Sequence, residues 1–346
     1  MVLTRRMSGV VPDGDPTQPK TPSRLSRKTT RHDDVGEQIA LLLRMHPYVP
    51  YPQPREPRPP RPPPGADSRW LAKDPSKRFG ELVWLFYSPF WQIWLLGVIV
   101  PFKLYDSMDS LSYMLVGLGI ALPCAALPWW LQGGAERARP WHERWWVKAN
   151  VWIGVYSFIG NYFWTHYFYQ LLGADYTFPS EYQRLNNVPF SMYLCTHGYF
   201  AFYHVAANLL MRKVQTHLRS RGKSVARQRA AVGAVVFLLA YVLAFLETWT
   251  ISNFPYYTHQ DKGAMYTVGS LFYAIYFFVS FPMFYRIDED TSRGARRWTA
   301  ADCALDALAA GMLCTIVLDL WRISLGAIPG GGPGGAGGSG LIWSGP

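Results

Sequence analysis

Four side chains able to move protons lie inside long apolar runs of this 346-residue chain: His166, His197, Glu247 and Asp319. Other polar groups accompany them. His166 follows Asn161 and Thr165 in VYSFIGNYFWTHYFYQLLGADYTFP (155–179). His197 stands seven residues before His204, on one helical face, with Asn208 one turn further on. Carboxyl and imidazole groups are the usual donors and acceptors of general acid–base chemistry. At membrane depth each costs roughly 2.5 kcal/mol or more, so such groups face a bundle interior or a cavity. The chain has no clustered HxxxH or HxxHH boxes of a di-iron oxidase, no GxGxxG, no P-loop and no HExxH. Redox, nucleotide-driven and zinc-protease chemistry lose support. Acid–base chemistry on a lipid with no cofactor and no metal, or else transport, is what remains. The four cysteines, Cys124, Cys195, Cys303 and Cys314, form no CxxC pair and all fall in apolar segments, which predicts packing residues.

The elements that must hold these groups read as membrane helices. Only 16% of the residues are charged and 49% are apolar, against about 25% charged in a soluble domain. Seven apolar segments of near-spanning length run over 82–104, 111–131, 149–172, 188–211, 231–252, 263–285 and 301–325. Connections 132–148, 212–230 and 286–300 are rich in Lys and Arg, and the intervening ones are poor in both. That alternation predicts an all-α polytopic bundle of seven spans with a cytoplasmic N-terminus. The net charge of +11 flanks apolar segments, which points to membrane topology rather than nucleic acid. Residues 1–66 end in YPQPREPRPPRPPPG and predict a disordered basic tail. Residues 67–328 then form the membrane domain, and GGGPGGAGGSG marks a flexible Gly-rich tail over 329–346.

This topology sets depth. At about 1.5 Å of rise per residue, His166 and Asp319 lie about 9 Å from the non-cytoplasmic (lumenal) ends of their segments. Glu247 lies about 8 Å from that end and His197 about 13 Å below it. Four titratable groups thus share a layer. A plainer reading stands beside each one. A membrane histidine also serves simply to bridge helices. Asp319 can pair with Arg322 on its own helix. Trp164, Trp249 and Trp321 also suit an interfacial belt.

Several runs carry a family likeness: WLAKDPSKRFGELVWLFYSPFW, RWWVKANVWIGVYSFIGNYFWTHYFYQLLGADYTFP, NNVPFSMYLCTHGYFAFYHVAAN, FLETWTISNFPYYTHQDKGAMYTVGSLFYAIYFFVSFPMFYRID and LDLWRISLG. Over about residues 70–328 the chain resembles the cycloeucalenol cycloisomerase family. The resemblance implies a sterol-biosynthesis enzyme of the endoplasmic reticulum membrane, with a sterol substrate and other sterol-pathway enzymes as possible partners. It would open the 9β,19-cyclopropane ring of cycloeucalenol to give obtusifoliol, by protonating C19 and losing the C8 proton. That chemistry suits Glu247 as proton donor and His166 as base or relay, roles open to exchange, with Asp319, His197 and His204 behind them. Asn161 and Asn253 would hold the sterol hydroxyl or orient the acid. Tyr162, Trp164, Trp249, Tyr256 and Tyr257 would line the pocket. Two alternatives stay open: a sterol Δ8–Δ7 double-bond isomerase of the emopamil-binding type, and a multi-pass lipid transporter or receptor.

Overall fold

Asp74 starts the first helix. Its carboxylate accepts from the Lys77 amide at 2.8 Å, and Pro75 follows where a missing amide costs nothing. The computed structural model describes residues 68–326 apart from 179–182, 253, 260, 293, 294 and 296. Both expected tails, and Asn253, lie outside the described residues. Helix α1 (Pro75–Gln92) runs on as a π-helical stretch, Ile93–Ile99. The next segment is a bent pair, α2 (Ser110–Ala121) and α3 (Pro123–Leu131), turned by 42°. Proline cannot continue the amide ladder, so Pro123 is where the bend falls.

Helix α4 (Trp145–Ile159), a π-helical turn at Gly160–Trp164 and α5 (Thr165–Leu172) form one continuous rod, ended by Gly173 at φ 59°. That left-handed stop is one that glycine adopts without strain. Three long helices follow or flank it: α6 (Phe190–Ser220), α7 (Val225–Ile251) and α9 (Ala300–Leu325). Between α7 and α9 runs α8 (Ser270–Tyr285), entered through a third π-helical turn at Met265–Gly269. A reciprocal capping box, Thr299 with Asp302, starts α9. Short strands pair β1 (Asp175–Tyr176) with β4 (Tyr257–Thr258), and β2 (Arg184–Leu185) with β3 (Val188–Pro189).

The molecule is all-α, as expected, and each of the seven expected segments is helical over most of its length. Among the described residues four helices are long and apolar enough to cross a membrane, and the bent pair makes up to five. The two that miss this measure, the rod from Trp145 to Leu172 and α6, carry the polar interior residues Asn150, Asn161, His166, His197, His204 and Asn208. These two helices supply much of the central core, with Trp152, Tyr156, Trp164, Phe200 and Ala207 fully or almost fully buried. Helix α6 comes close to α2 because Gly198 has no side chain: a Cβ there would stand 2.3 Å from Ile120 Cγ2. Small residues at such crossings are how membrane helices gain packing contact. All four cysteines are buried and unbonded to one another.

Not every basic residue flanking a span is a free topology signal. Lys77 is fully buried and donates to the Tyr285 and Ile287 carbonyls at 2.6 and 2.7 Å, while pairing with Glu289 at 2.9 Å. Arg212 reaches Glu81 and Glu289, each at 2.7 Å, and Asn208 donates to Glu81 at 2.9 Å. Burial works against the Glu289 charge, but Lys77 and Arg212 prevail and hold its carboxyl below the usual range. This closed network pins α1, α6 and the loop after α8 together. Lys148 likewise pairs with Asp288.

Candidate active site

Glu247 sits on the last turns of α7, a helix whose other side chains largely face lipid. Its own carboxyl turns inward. Oε2 is sealed from solvent with no hydrogen-bond partner among the described residues. The hydroxyls of Tyr203 on α6 and Tyr273 on α8 bear on the same carboxyl. No ion pair reaches Glu247 among the described residues, so it carries a buried polar atom that the fold does not use.

Two cavities meet at this carboxyl. One has a volume of about 130 Å³ and mostly apolar walls, among them Leu95, Ile99, Val116, Met192 and Phe254. The other has a volume of about 80 Å³ and carries the polar groups of Asn161, Thr165, Thr248, Tyr273 and Tyr276. Five residues belong to both walls: Tyr176, Thr196, Glu247, Ile251 and Tyr257. The β1–β4 pairing, register Tyr176 to Tyr257, brings two of those tyrosines into place from distant parts of the chain. Burial holds the Tyr176 and Tyr257 hydroxyls above the usual tyrosine range, so both remain protonated donors. A concave space with apolar walls and a few convergent polar groups is the usual make-up of a small-molecule site.

The other sequence candidates fall in different places. His166 Nε2 lies 3.1 Å from the Asn186 carbonyl, under the loop that carries β2 and β3, and lines neither cavity. His197 faces Asn150 on α4 at 2.9 Å. His204 is fully buried in an aromatic cage, its ring centre 5.1 Å from both Phe281 and Phe284, with Nδ1 on the Phe200 carbonyl. Asp319 pairs with Arg322 at 2.7 Å and accepts from Tyr167 at 3.3 Å. The four titratable groups of the predicted layer therefore do not converge, and Glu247 is the one that reaches the cavities.

Among the proposed wall residues, Asn161 and Tyr257 line the space. Asn161 Nδ2 donates to the Ser157 carbonyl at 2.9 Å, and its Oδ1 accepts from Thr196 at 3.4 Å. Trp164 is buried in the core and donates to Thr315 at 2.8 Å. Tyr162 stacks on Phe158, Tyr256 reaches Asp106 at 3.4 Å, and Trp249 is 52% exposed on the outer surface. Sequence reading missed Thr196, Tyr176, Tyr203 and Tyr273. It also missed the π-helical stretches, all three of which contribute wall residues: Leu95 and Ile99, Gly160 and Asn161, and Met265. Such stretches gather at functional sites because they widen a helix and re-aim its side chains. Each contains a glycine, Gly97, Gly160 or Gly269, and a glycine inside an apolar helix pattern was the signal available.

A carboxyl in such a space can pass a proton to an apolar ligand and take one back. The chain is 50% identical over 261 residues to a protein of Arabidopsis thaliana named cycloeucalenol cycloisomerase, a match spanning 75% of this chain and 91% of that protein. This chain belongs to the cycloeucalenol cycloisomerase family. As a cycloisomerase family member it is an enzyme, and its membrane-length apolar helices make it a membrane protein. No protein-family model matches this cycloisomerase, and no solved structure matches it.

Proposed function

We propose that this enzyme opens the 9β,19-cyclopropane ring of cycloeucalenol and yields obtusifoliol, acting as a seven-span protein of the endoplasmic reticulum membrane with a cytoplasmic N-terminus. The observation that carries the reading is the Glu247 carboxyl, without a cationic partner among the described residues, at the waist of a two-lobed cavity. Its protonated form needs no counter-ion. The acid proton goes to C19 as the C9–C19 bond breaks, and that bond's electron pair becomes the new C19–H bond. A tertiary cation is left at C9. The C8–H electron pair then forms the C8=C9 double bond, and the released proton returns to the Glu247 carboxylate. Atoms and charge balance, and the acid is restored for the next turnover.

His166, His197 and Asp319 stand outside both lobes, which is why the second proton transfer is assigned to the same carboxyl. Tyr176, Tyr199, Phe254 and Tyr257 line the apolar lobe, and an aromatic face presented to a desolvated cation is worth about 0.5–2 kcal/mol. Purified protein in detergent should convert cycloeucalenol, with no added partner, to a product carrying a C19 methyl and a C8=C9 double bond. Conversion of a Δ8 sterol alone would overturn the reading in favour of double-bond isomerisation. Binding of cycloeucalenol without turnover would point to a carrier.

A further inference from the structure

The two lobes are chemically unlike, and the difference sets how a substrate lies in them. The inner lobe is walled by Asn161, Thr165, Thr196, Thr248, Tyr273 and Tyr276. Asn161, Thr248, Tyr273 and Tyr276 among them are buried, and buried polar groups are costly without a hydrogen-bonding partner. Asn161 spends one amide hydrogen on Ser157, and the Thr196 hydroxyl, 3.4 Å from its Oδ1, gives its own proton to the Met192 carbonyl at 2.7 Å, so among the described residues Asn161 retains capacity both to donate and to accept. The outer lobe is bounded by hydrocarbon from the π-helical stretch Ile93–Ile99 and from α2. One of its wall residues, Leu96, is itself 37% exposed on the lipid side, and its neighbour Ile93 is 65% exposed. The apolar lobe therefore borders the lipid and the polar lobe lies inward, with Glu247 between them.

We infer that the substrate enters tail-out from the lipid beside Ile93–Ile99, seats its hydroxyl-bearing ring in the inner lobe against Asn161 and Thr196, and leaves its C17 hydrocarbon tail in the outer lobe. This rests on the reaction proposed above and adds the orientation, the anchor and the side of access. The reacting carbons lie between the hydroxyl and the tail of the ring system. Only a substrate that spans both lobes brings them to the waist where Glu247 stands.

The orientation is tested by selectivity ratios measured on single protein preparations, so that differing amounts of folded enzyme cancel. Wild-type enzyme, Asn161→Leu and Met192→Trp are each given cycloeucalenol, its 3-deoxy analogue and an analogue with a truncated C17 side chain. Asn161→Leu should lower the kcat/KM preference for the 3-hydroxy over the 3-deoxy substrate by about tenfold, the worth of one net hydrogen bond of about 1.4 kcal/mol. It should leave the preference between long and short side chains unchanged. Met192→Trp fills the outer lobe and should shift turnover toward the truncated analogue by tenfold or more, with hydroxyl preference unchanged. If Asn161→Leu proves wholly inactive, Thr165→Val, on the inner wall alone, takes its place with the same expectation. The reverse pattern, with hydroxyl preference lost in Met192→Trp and tail preference altered in the inner-lobe variant, would overturn the orientation while leaving the reaction standing. A wild-type enzyme that converts none of the three would remove the reaction reading itself, and the orientation with it.

Discussion

Glu247→Gln tests the chemistry with the least disturbance to the cavity. The amide matches the carboxyl in shape, and its oxygen can accept from the neighbouring Tyr203 and Tyr273 hydroxyls. No ion pair is broken among the described residues, so the stability change should stay within about 0.5–1.5 kcal/mol, the net worth of one hydrogen bond. What the amide cannot do is release a proton to C19. A positioned general acid supplies about 10²–10⁴ in rate, which at about 1.36 kcal/mol per tenfold adds roughly 3–5.5 kcal/mol to the barrier. The loss should fall on kcat, while KM for cycloeucalenol stays within about threefold because the walls are intact. Purified variant and wild type would be compared in detergent, with product quantified by gas chromatography and mass spectrometry and folding checked by thermal unfolding. Turnover within about tenfold of wild type in a well-folded variant would refute Glu247 as the acid.

Other perturbations probe the frame. Arg212→Met strips both Glu81 and Glu289 of their shared partner, and leaving buried charge uncompensated should cost about 3–5 kcal/mol, read as a lowered unfolding temperature in detergent. Gly198→Ala would press a methyl into Ile120, and the overpacking should destabilise by about 1–3 kcal/mol in the same assay. His259, in the loop between α7 and α8, has both ring nitrogens unpartnered among the described residues, and burial, then Lys262, lower its pKa below 6.5. The folded state thus binds fewer protons than the unfolded one. The neutral ring's contribution is intact above the unfolded value and is lost as pH falls below it, so stability should decline under about pH 6.5. The decline should shrink in His259→Asn, and an unchanged pH profile in that variant would refute the assignment.

Much of the architecture was legible from hydropathy and charge alone. The apolar segments became helices because a chain in lipid must satisfy its amides internally. Asp74, Asp109 and the Thr299–Asp302 box mark helix starts by local hydrogen bonds that a sequence displays directly. The pairing of Asp319 with Arg322 was readable because both partners share one helix. Arg212, at the start of connection 212–230, reads as a topology charge, since nothing local announces that Glu81 and Glu289 await it across the bundle.

The candidate site divides in the same way. Composition and order determined an all-helical membrane chain, and the long runs Arg144–Pro179 and Phe245–Asp288 carried the family resemblance. They also singled out Glu247 as a carboxyl in hydrocarbon with no nearby cation in sequence. Depth along a helix follows from counting residues, so the layer holding His166, His197, Glu247 and Asp319 was accessible. Facing is another matter. Whether a side chain at that depth meets a loop carbonyl, a neighbouring helix or a cavity depends on rotations and crossings set by packing across the whole bundle. Tertiary structure alone decided that His166 turns to Asn186 and His197 to Asn150, while Glu247 lines both cavities. Side-chain periodicity is local physics, whereas convergence depends on helix contacts between residues far apart in the chain.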